Sequence, residues 1–94
     1  MGGRDVEKVF AALGDSTRLK LLRYVLHEEH SVSRCTEYVG LSQGAVSKQL
    51  TALARAGVLV RRRANRRTYY RVAEPEVLER MLADAESFLP RTPE

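Results

Sequence analysis

The sequence predicts a mainly α-helical fold with one β-hairpin, in the order α-α-α-α-β-β-α. Apolar residues recur at intervals of three and four along most of the chain, as they do on helices that bury one face. Gly40-Leu41-Ser42 interrupts this pattern with residues typical of a tight turn between helices. Two strand-prone segments flank an arginine-rich stretch around Asn65, which predicts the hairpin. With 94 residues, the chain is expected to form a single domain over 1–94.

The first two helices are predicted from apolar spacing and from the residues that separate them. Residues 5–13 place their apolar side chains in one stripe, as on a short helix. Gly14 ends this helix, and Asp15 or Ser16 can cap the next one by accepting a hydrogen bond from a free backbone amide. The second helix is expected to run to about His27 and, because its apolar face is broad, to lie at the centre of the core.

The next two helices are joined by the Gly40-Leu41-Ser42 turn. A short third helix is predicted over roughly 33–39, and Gly40 after it permits the left-handed backbone of a helix end. Ser42 can cap a fourth helix over about 43–56, which has one apolar side. Its other side carries Gly44, Ser47, Lys48, Thr51 and Arg55. A short helix, a tight turn and an amphipathic helix form the helix-turn-helix pattern.

The last third of the chain predicts a hairpin followed by a helix. Residues 58–60 and 68–72 are the predicted antiparallel strands, and Asn65 suits a positive φ in the connecting turn. Pro75 suits the first turn of a final helix, expected over about 75–89, and Pro90 ends it. The apolar stripe of this helix contains Val77, Leu78, Met81, Leu82, Ala85, Phe88 and Leu89.

The positive charge is concentrated in the hairpin. The formal net charge is +4, yet residues 58–73 contain six arginines and no acidic residue. Residues 74–94 contain two arginines and six acidic residues, so they carry the opposite net charge. A short basic segment without interspersed acids indicates an anionic partner such as nucleic acid.

These motifs together resemble the ArsR/SmtB family of winged helix-turn-helix repressors. The likeness covers about residues 5–89 in the family's order and spacing, with the matching strings at 12–19, 41–50, 53–59 and 69–72. The resemblance implies a bacterial repressor that binds operator DNA as a homodimer. It also implies release of the DNA when an effector, often a metal ion, is bound.

A helix-turn-helix places its second helix in the major groove, where short polar side chains reach the base edges. The candidate contacts of this recognition helix are Ser42, Gln43, Gly44, Ser47, Lys48 and Thr51. Gln43 could pair with adenine, and Lys48 with guanine or phosphate. The hairpin is the expected wing, and its candidate contacts to phosphates or to the minor groove are Arg62, Arg63, Arg66 and Arg67. The alternative is a solvated helix face beside a solubilising run of charge.

The first and last helices, about 5–13 and 75–89, are both amphipathic, and a small domain cannot easily bury both stripes internally. We therefore expect them to form the interface of a homodimer, with Val6, Val9, Phe10, Leu78, Met81, Leu82 and Ala85 as the contacting residues. A dimer places two recognition helices about 34–36 Å apart, which predicts an inverted-repeat operator. The alternative is that both helices only close the core of a monomer.

Neither metal site of the family is intact in this sequence. The resemblance places a Cys-Val-Cys thiolate pair at the start of the third helix, where this chain has Ser31-Val32-Ser33. The family's second site uses Asp and His on the last helix, and residues 75–89 contain no histidine. We therefore predict no metal and no cofactor, and the effector is left open. A non-standard metal sensor built from His27, His30 and Cys35 is the alternative, since imidazole and thiolate bind zinc and nickel.

Other function classes fit the sequence less well. An enzyme would need a nucleophile with a base or a metal constellation, and no such set is evident. A winged helix that binds a protein fits the helices equally well, but it has no need of the basic hairpin. No apolar segment is long enough to span a membrane, and the single cysteine, Cys35, suits a reducing compartment. We therefore expect a cytoplasmic protein without a membrane partner.

Overall fold

The computed structural model describes residues 5–90 and confirms the predicted fold class. The elements within this range are α1 (Val6–Leu13), α2 (Ser16–Tyr24), β1 (His30–Ser31), α3 (Val32–Val39), α4 (Gln43–Arg55), β2 (Leu59–Ala64), β3 (Arg67–Val72) and α5 (Pro75–Glu86). Residues 1–4 and 91–94 of the predicted single domain lie outside the described residues. None of the helices within 5–90 is both long and apolar enough to cross a bilayer.

The core is formed where α2, α3 and α4 pack against the base of the hairpin. Each of these elements contributes the apolar side of its amphipathic pattern, as the sequence predicts. The fully buried side chains are Leu21, Leu22, Val25, Cys35, Val46, Leu50 and Leu53, and the hairpin adds Leu59, Tyr70 and Val72. This packing fixes α4 from one side and leaves its opposite side exposed to solvent.

Three helices begin at a side chain that caps a free backbone amide. Asp15 accepts a hydrogen bond from the amide of Arg18 at 3.0 Å, which selects Asp15 rather than Ser16 as the cap of α2. Ser31 caps α3 through its hydroxyl oxygen, and Ser42 caps α4 in the same way. Each such cap stabilises its helix by about 1 kcal/mol. Gly40 ends α3 with φ +81°, as the turn pattern predicts.

The sheet contains a strand that the sequence did not predict. β1 pairs with β3 through His30 opposite Tyr70 and Ser31 opposite Tyr69, so the strand order is β1-β3-β2. Two residues are too few to produce an alternation pattern. The helix α2 correspondingly ends at Tyr24 rather than near His27, because the chain must turn to bring residues 30–31 alongside β3.

The hairpin turns through two residues, Asn65 and Arg66, which have φ values of +50° and +67°. A two-residue turn whose twist matches that of the strands requires positive φ at both positions. Asn65 was predicted for this role and Arg66 was not. At Arg66 the left-handed backbone costs about 1–2 kcal/mol, because the Cβ atom crowds the following carbonyl oxygen.

The last helix is shorter than predicted. The amides of Ser87, Phe88 and Leu89 each donate to the carbonyl three residues earlier, at 3.0–3.1 Å, so the chain tightens after Glu86. Pro90 disfavours the α-helical backbone at Leu89, the residue directly before it, so the helix is not expected to continue past that point. The helix predicted over 75–89 therefore begins correctly at Pro75, but its predicted end lies three residues beyond the observed end at Glu86.

Candidate nucleic-acid interface

The exposed side of α4 carries the polar residues that the sequence pattern indicates. Ser42, Gln43, Gly44 and Lys48 are exposed, while Ser47 is half-buried. They lie opposite the buried side of the helix, so the capped N-terminal half of α4 presents polar side chains and Gly44 to solvent. Polar side chains of this kind can form hydrogen bonds with the edges of base pairs in the major groove.

Gly44 lies on this surface and has open space around it. A Cβ atom built at Gly44 meets nothing within 4 Å in the described part of the chain, apart from the backbone of its own helix and its neighbours in sequence. The fold itself therefore does not require glycine at this position, although glycine weakens a helix by about 0.5–1 kcal/mol relative to alanine. The lack of a side chain instead exposes the helix backbone to whatever lies against α4.

Strand alternation places the hairpin arginines on two different faces. Arg63 pairs across the hairpin with Thr68, on the face that buries Tyr70 further down the sheet. Arg62 pairs with Tyr69 on the opposite face. The block of arginines that looks continuous in the sequence is thus divided, because successive side chains of a strand point to opposite sides.

Arg62 is held by a carboxylate from a distant part of the chain. Its guanidinium donates to both carboxylate oxygens of Glu29, at 2.7 and 2.9 Å, and lies 4.8 Å from the centre of the Tyr69 ring. The hydrogen bond from Arg62 lowers the pKa of Glu29, and the same bond raises the pKa of Arg62. Arg62 was predicted to contact DNA, and in this structure its donors already have an anionic partner.

Arg63, Arg66 and Arg67 have no carboxylate partner among the ion pairs of residues 5–90. Arg63 donates only a long hydrogen bond, 3.4 Å, to the hydroxyl of Thr68. These three arginines lie beside Gln43 and Ser47 of α4 around one surface cleft. The structure therefore brings together the two groups of predicted DNA contacts, from the helix and from the hairpin.

A further residue, Arg18, connects the recognition helix to the first helix. Its guanidinium donates to the carbonyl of Ala12 at 2.7 Å and to that of Ala11 at 3.2 Å, and it donates to the side-chain oxygen of Gln49 at 2.8 Å. Arg18 was not among the predicted site residues, although it lies within the string 12–19 that carries the family resemblance. It ties the end of α1 to the middle of α4.

The structure separates the three residues of the alternative metal site. Cys35 is fully buried, and burial raises the pKa of its thiol to about 11. His30 stacks on the ring of Tyr24 with centroids 4.1 Å apart, and Nε2 of His27 lies 3.0 Å from a carboxylate oxygen of Glu79. Within residues 5–90, no three metal-binding side chains gather at one place.

The predicted dimer residues of α1 and α5 differ in how far they are exposed, and one of them is buried. Val6 and Phe10 are 59% and 61% exposed, and Ala85 is exposed as well. Val9, Met81 and Leu82 are half-buried, and Leu82 packs against the core. Leu78, however, is only 4% exposed and packs in the core of its own protomer, so it has little surface left for a partner.

An apolar cavity of about 150 Å³ lies between α1 and α5. Its walls include Val9 and Leu13 from α1 and Val77 and Met81 from α5. The cavity deepens the apolar surface that these two helices leave uncovered in a single chain.

Comparison with known proteins agrees with this geometry. The profile of the bacterial regulatory protein, arsR family, matches residues 15–60, which run from the cap of α2 into β2. The probable mercury resistance operon repressor of Streptomyces lividans is 39% identical over 72 residues, which are 77% of this chain and 58% of that protein. The HTH-type transcriptional regulator Rv0081 of Mycobacterium tuberculosis is 34% identical over 83 residues, which are 87% of this chain and 72% of Rv0081.

A solved structure extends the likeness over nearly the whole chain. The homodimeric winged helix-turn-helix DNA-binding domain of Mb0332 from Mycobacterium bovis (fragment 1-100) superposes with a TM-score of 0.74 at 26% identity. The match covers 98% of this chain and 100% of that fragment. This chain spans less than two thirds of the mercury resistance repressor's length. These relatives are transcriptional regulators rather than enzymes, and the chain is a winged helix-turn-helix protein of the ArsR family of bacterial regulators.

Proposed function

We propose that this protein is a transcriptional repressor that binds an inverted-repeat operator as a homodimer. The observation that carries the proposal is the juxtaposition of the polar N-terminal half of α4 with three hairpin arginines that have no carboxylate partner within residues 5–90. A helix of this kind fits the major groove, and an arginine-bearing hairpin beside it reaches the adjoining minor groove.

The contacts divide into two groups with different tasks. Gln43, Ser47 and Lys48 project from α4 toward base edges and supply sequence preference, while Ser42 and Thr51 flank them. Arg63, Arg66 and Arg67 bind phosphates, and these contacts supply affinity for any duplex. Gly44 lets the helix backbone approach the groove closely, which accounts for an otherwise unfavourable glycine in α4.

The dimer forms through the surface of α1 and α5. Its centre is the exposed apolar pair Val6 and Phe10 with Val77 of α5, which is 40% exposed. Support comes from the homodimeric domain of Mb0332, which this chain matches over 98% of its length. A second copy would cover these side chains and the cavity between the two helices.

The effector of the repressor differs from the family's thiolate-bound metals. The similar protein of Streptomyces lividans is a mercury resistance repressor, whereas this chain has serine at the two thiolate positions. Ser31 uses its hydroxyl to cap α3, and serine oxygens are poor ligands for soft metals. We place the protein in the cytoplasm, where a DNA-binding regulator acts.

The experiment that tests this function is a titration of a labelled duplex DNA followed by fluorescence anisotropy at several salt concentrations. We expect the logarithm of the binding constant to fall linearly and steeply with the logarithm of salt concentration. The double variant Arg66→Ala/Arg67→Ala should bind more weakly with a flatter slope, while Arg23→Ala on α2 keeps the wild-type slope. Absence of salt-dependent binding by the wild type would contradict the proposal and favour a protein partner.

A further inference from the structure

The guanidinium group of Arg18 joins three helices at one point. Arg18 is the third residue of α2, and its side chain donates in two directions. Toward α1, Nε donates to the carbonyl of Ala12 and Nη2 to that of Ala11. Toward α4, Nη1 donates to Oε1 of Gln49 at 2.8 Å. A single planar group therefore links the end of α1 to the middle of α4.

The bridge is well suited to hold an orientation. The backbone amide of Arg18 donates to the carboxylate of Asp15, which fixes the base of the side chain at the capped start of α2. A guanidinium group is rigid and planar, so its hydrogen bonds leave in fixed directions. Arg18 takes part in no ion pair within residues 5–90. Its positive charge lies instead at the C-terminal end of α1, where the helix dipole favours a cation.

Apolar packing holds α1 only weakly against α4. A cleft of about 390 Å³ lies between the two helices. Its walls are formed by four alanines and three basic side chains: Ala11, Ala12, Ala52, Ala56, Lys8, Arg18 and Arg55. Alanine side chains are too short to fill this space, so the helices do not interlock here. Of the described residues of α1, only Ala12 is buried. The hydrogen bonds of Arg18 therefore contribute much of the contact that orients α1 relative to α4.

The two ends of this bridge lie next to the two candidate interfaces. Ala11 directly follows Phe10, which is exposed on the proposed dimer surface. Gln49 directly follows Lys48 in the recognition helix. The other dimer helix, α5, is anchored separately, because Leu78 packs in the core. Arg18 is thus the polar connection between the first dimer helix and the helix that carries the DNA contacts.

We propose that Arg18 is a positioning residue, and that its bridge to Gln49 determines which half-site spacing the dimer accepts. The inference rests on the proposed function, since it requires a dimer that binds an inverted repeat. Two recognition helices must lie about 34–36 Å apart to enter successive major grooves. A change in the angle between α1 and α4 occurs in both protomers, so two-fold symmetry doubles its effect on this separation. Without the bridge, the separation varies more widely and neighbouring spacings become acceptable.

Three variants isolate the bridge from the other tasks of Arg18. Gln49→Met removes the acceptor on α4 and leaves the hydrogen bonds from Arg18 to α1 in place. Gln49→Glu keeps an oxygen acceptor for Arg18 and should rescue the geometry. Arg55→Met is the matched control, because Arg55 lines the same cleft without a hydrogen bond across it in the described part of the chain.

Pulsed electron paramagnetic resonance measures the separation of the recognition helices without DNA. A nitroxide label on an Ala45→Cys background reports from the exposed surface of α4, while the native Cys35 is buried. We expect one narrow distance distribution between the protomers of the wild-type dimer and of the Gln49→Glu and Arg55→Met proteins. Gln49→Met should give a broader distribution. Equal widths for Gln49→Met and wild type would overturn the positioning role, whereas a wild type without an inter-protomer distance would overturn the proposed dimer.

Duplex titration of the proteins without the Ala45→Cys change tests the consequence for DNA. The probes are the inverted repeat that the wild type selects from a random library and the same duplex with one base pair inserted between the half-sites. The insertion moves one half-site by about 3.4 Å and turns it by about 35°. We expect the wild type to prefer the original duplex. Gln49→Met should reduce the ratio of the two affinities about tenfold, as for a lost hydrogen bond to a charged group.

The ratio of affinities also separates positioning from a merely structural role. A structural defect would weaken binding to both duplexes equally, and an unchanged ratio in Gln49→Met would overturn the proposal. Gln49→Glu should restore the ratio even if its added negative charge weakens binding to both duplexes. A wild type that selects no inverted repeat would overturn the proposed function and this inference with it.

Discussion

Arg62 and Glu29 are 33 positions apart in the sequence, yet the guanidinium of Arg62 holds both carboxylate oxygens of Glu29 at 2.7 and 2.9 Å. Glu29 immediately precedes β1, and Arg62 lies in β2, on the other side of β3 in the sheet. The ion pair therefore spans the three-stranded sheet on the face that also carries Tyr69, opposite the face of Arg63 and Thr68. It joins the loop before β1 to the hairpin, with the side chain of Arg62 53% exposed and that of Glu29 27% exposed.

The first prediction compares two arginines of the hairpin. Arg67→Ala should flatten the salt slope of duplex binding by about 1, because Arg67 forms no ion pair within residues 5–90 and is proposed to bind a DNA phosphate. Arg62→Ala should flatten it by less than half as much, since the charge of Arg62 is already matched by Glu29. In thermal melts, Glu29→Gln and Arg62→Ala should lower the melting temperature by similar amounts. The double variant should melt at nearly the same temperature as either single variant. Equal salt slopes for the two arginine variants would contradict this division of roles.

The second prediction concerns Gly44. Gly44→Ala should leave folding intact and stabilise the protein by about 0.5–1 kcal/mol in urea unfolding, because the added methyl group has open space around it and alanine favours a helix. The same variant should weaken binding to operator DNA, since the methyl group would lie between the helix and the groove. A variant that gains stability and keeps full operator affinity would show that the backbone of α4 does not approach the groove closely at Gly44.

The third prediction separates dimer contacts from core contacts. Phe10→Glu places a charge on a side chain that is 61% exposed, so it should give a folded monomer in sedimentation experiments. Leu78→Ala should instead lower the free energy of unfolding by about 2–5 kcal/mol, as for a leucine removed from a core. A Phe10→Glu protein that sediments as the wild-type dimer would place the interface elsewhere.

The fourth prediction concerns the thiol of Cys35. Burial raises its pKa to about 11, above the ordinary value of a cysteine, so the folded state disfavours the thiolate. The unfolded chain thus releases this proton first, and Cys35 should make stability fall as the pH rises from about 8.5 toward 11. Native protein should react with iodoacetamide far more slowly than protein in urea. Equally fast alkylation in both states would show an accessible thiol and restore a redox role for Cys35.

Local sequence signals were sufficient to predict the helix-turn-helix and the hairpin. Gly40 and Ser42 determine the ends of adjacent helices through backbone conformation and capping, and both effects act within a few residues. Asn65 likewise marked the hairpin turn, because positive φ is a local requirement. The fold class therefore followed from short-range physics together with apolar spacing.

Features that depend on distant contacts could not be predicted in the same way. β1 has two residues and exists only because β3 lies beside it. The partner of Arg62 lies on a loop that no local pattern connects to the hairpin. Leu78 shares the apolar stripe of α5 with Met81, and only packing shows that Leu78 faces the core of its own protomer. The division of the hairpin arginines between two faces depends on which residues of β2 and β3 pair, and the sequence pattern does not show this register.

The most direct test of operator recognition is selection of bound duplexes from a random DNA library by the purified dimer. We predict enrichment of an inverted repeat whose half-sites are about 10–10.5 base pairs apart from centre to centre, one helical turn. Ser47→Ala should relax the base preference within each half-site without changing that spacing. If the wild-type protein enriches no sequence, and its affinity for DNA does not change with salt concentration, the proposal that this chain is a DNA-binding repressor is contradicted.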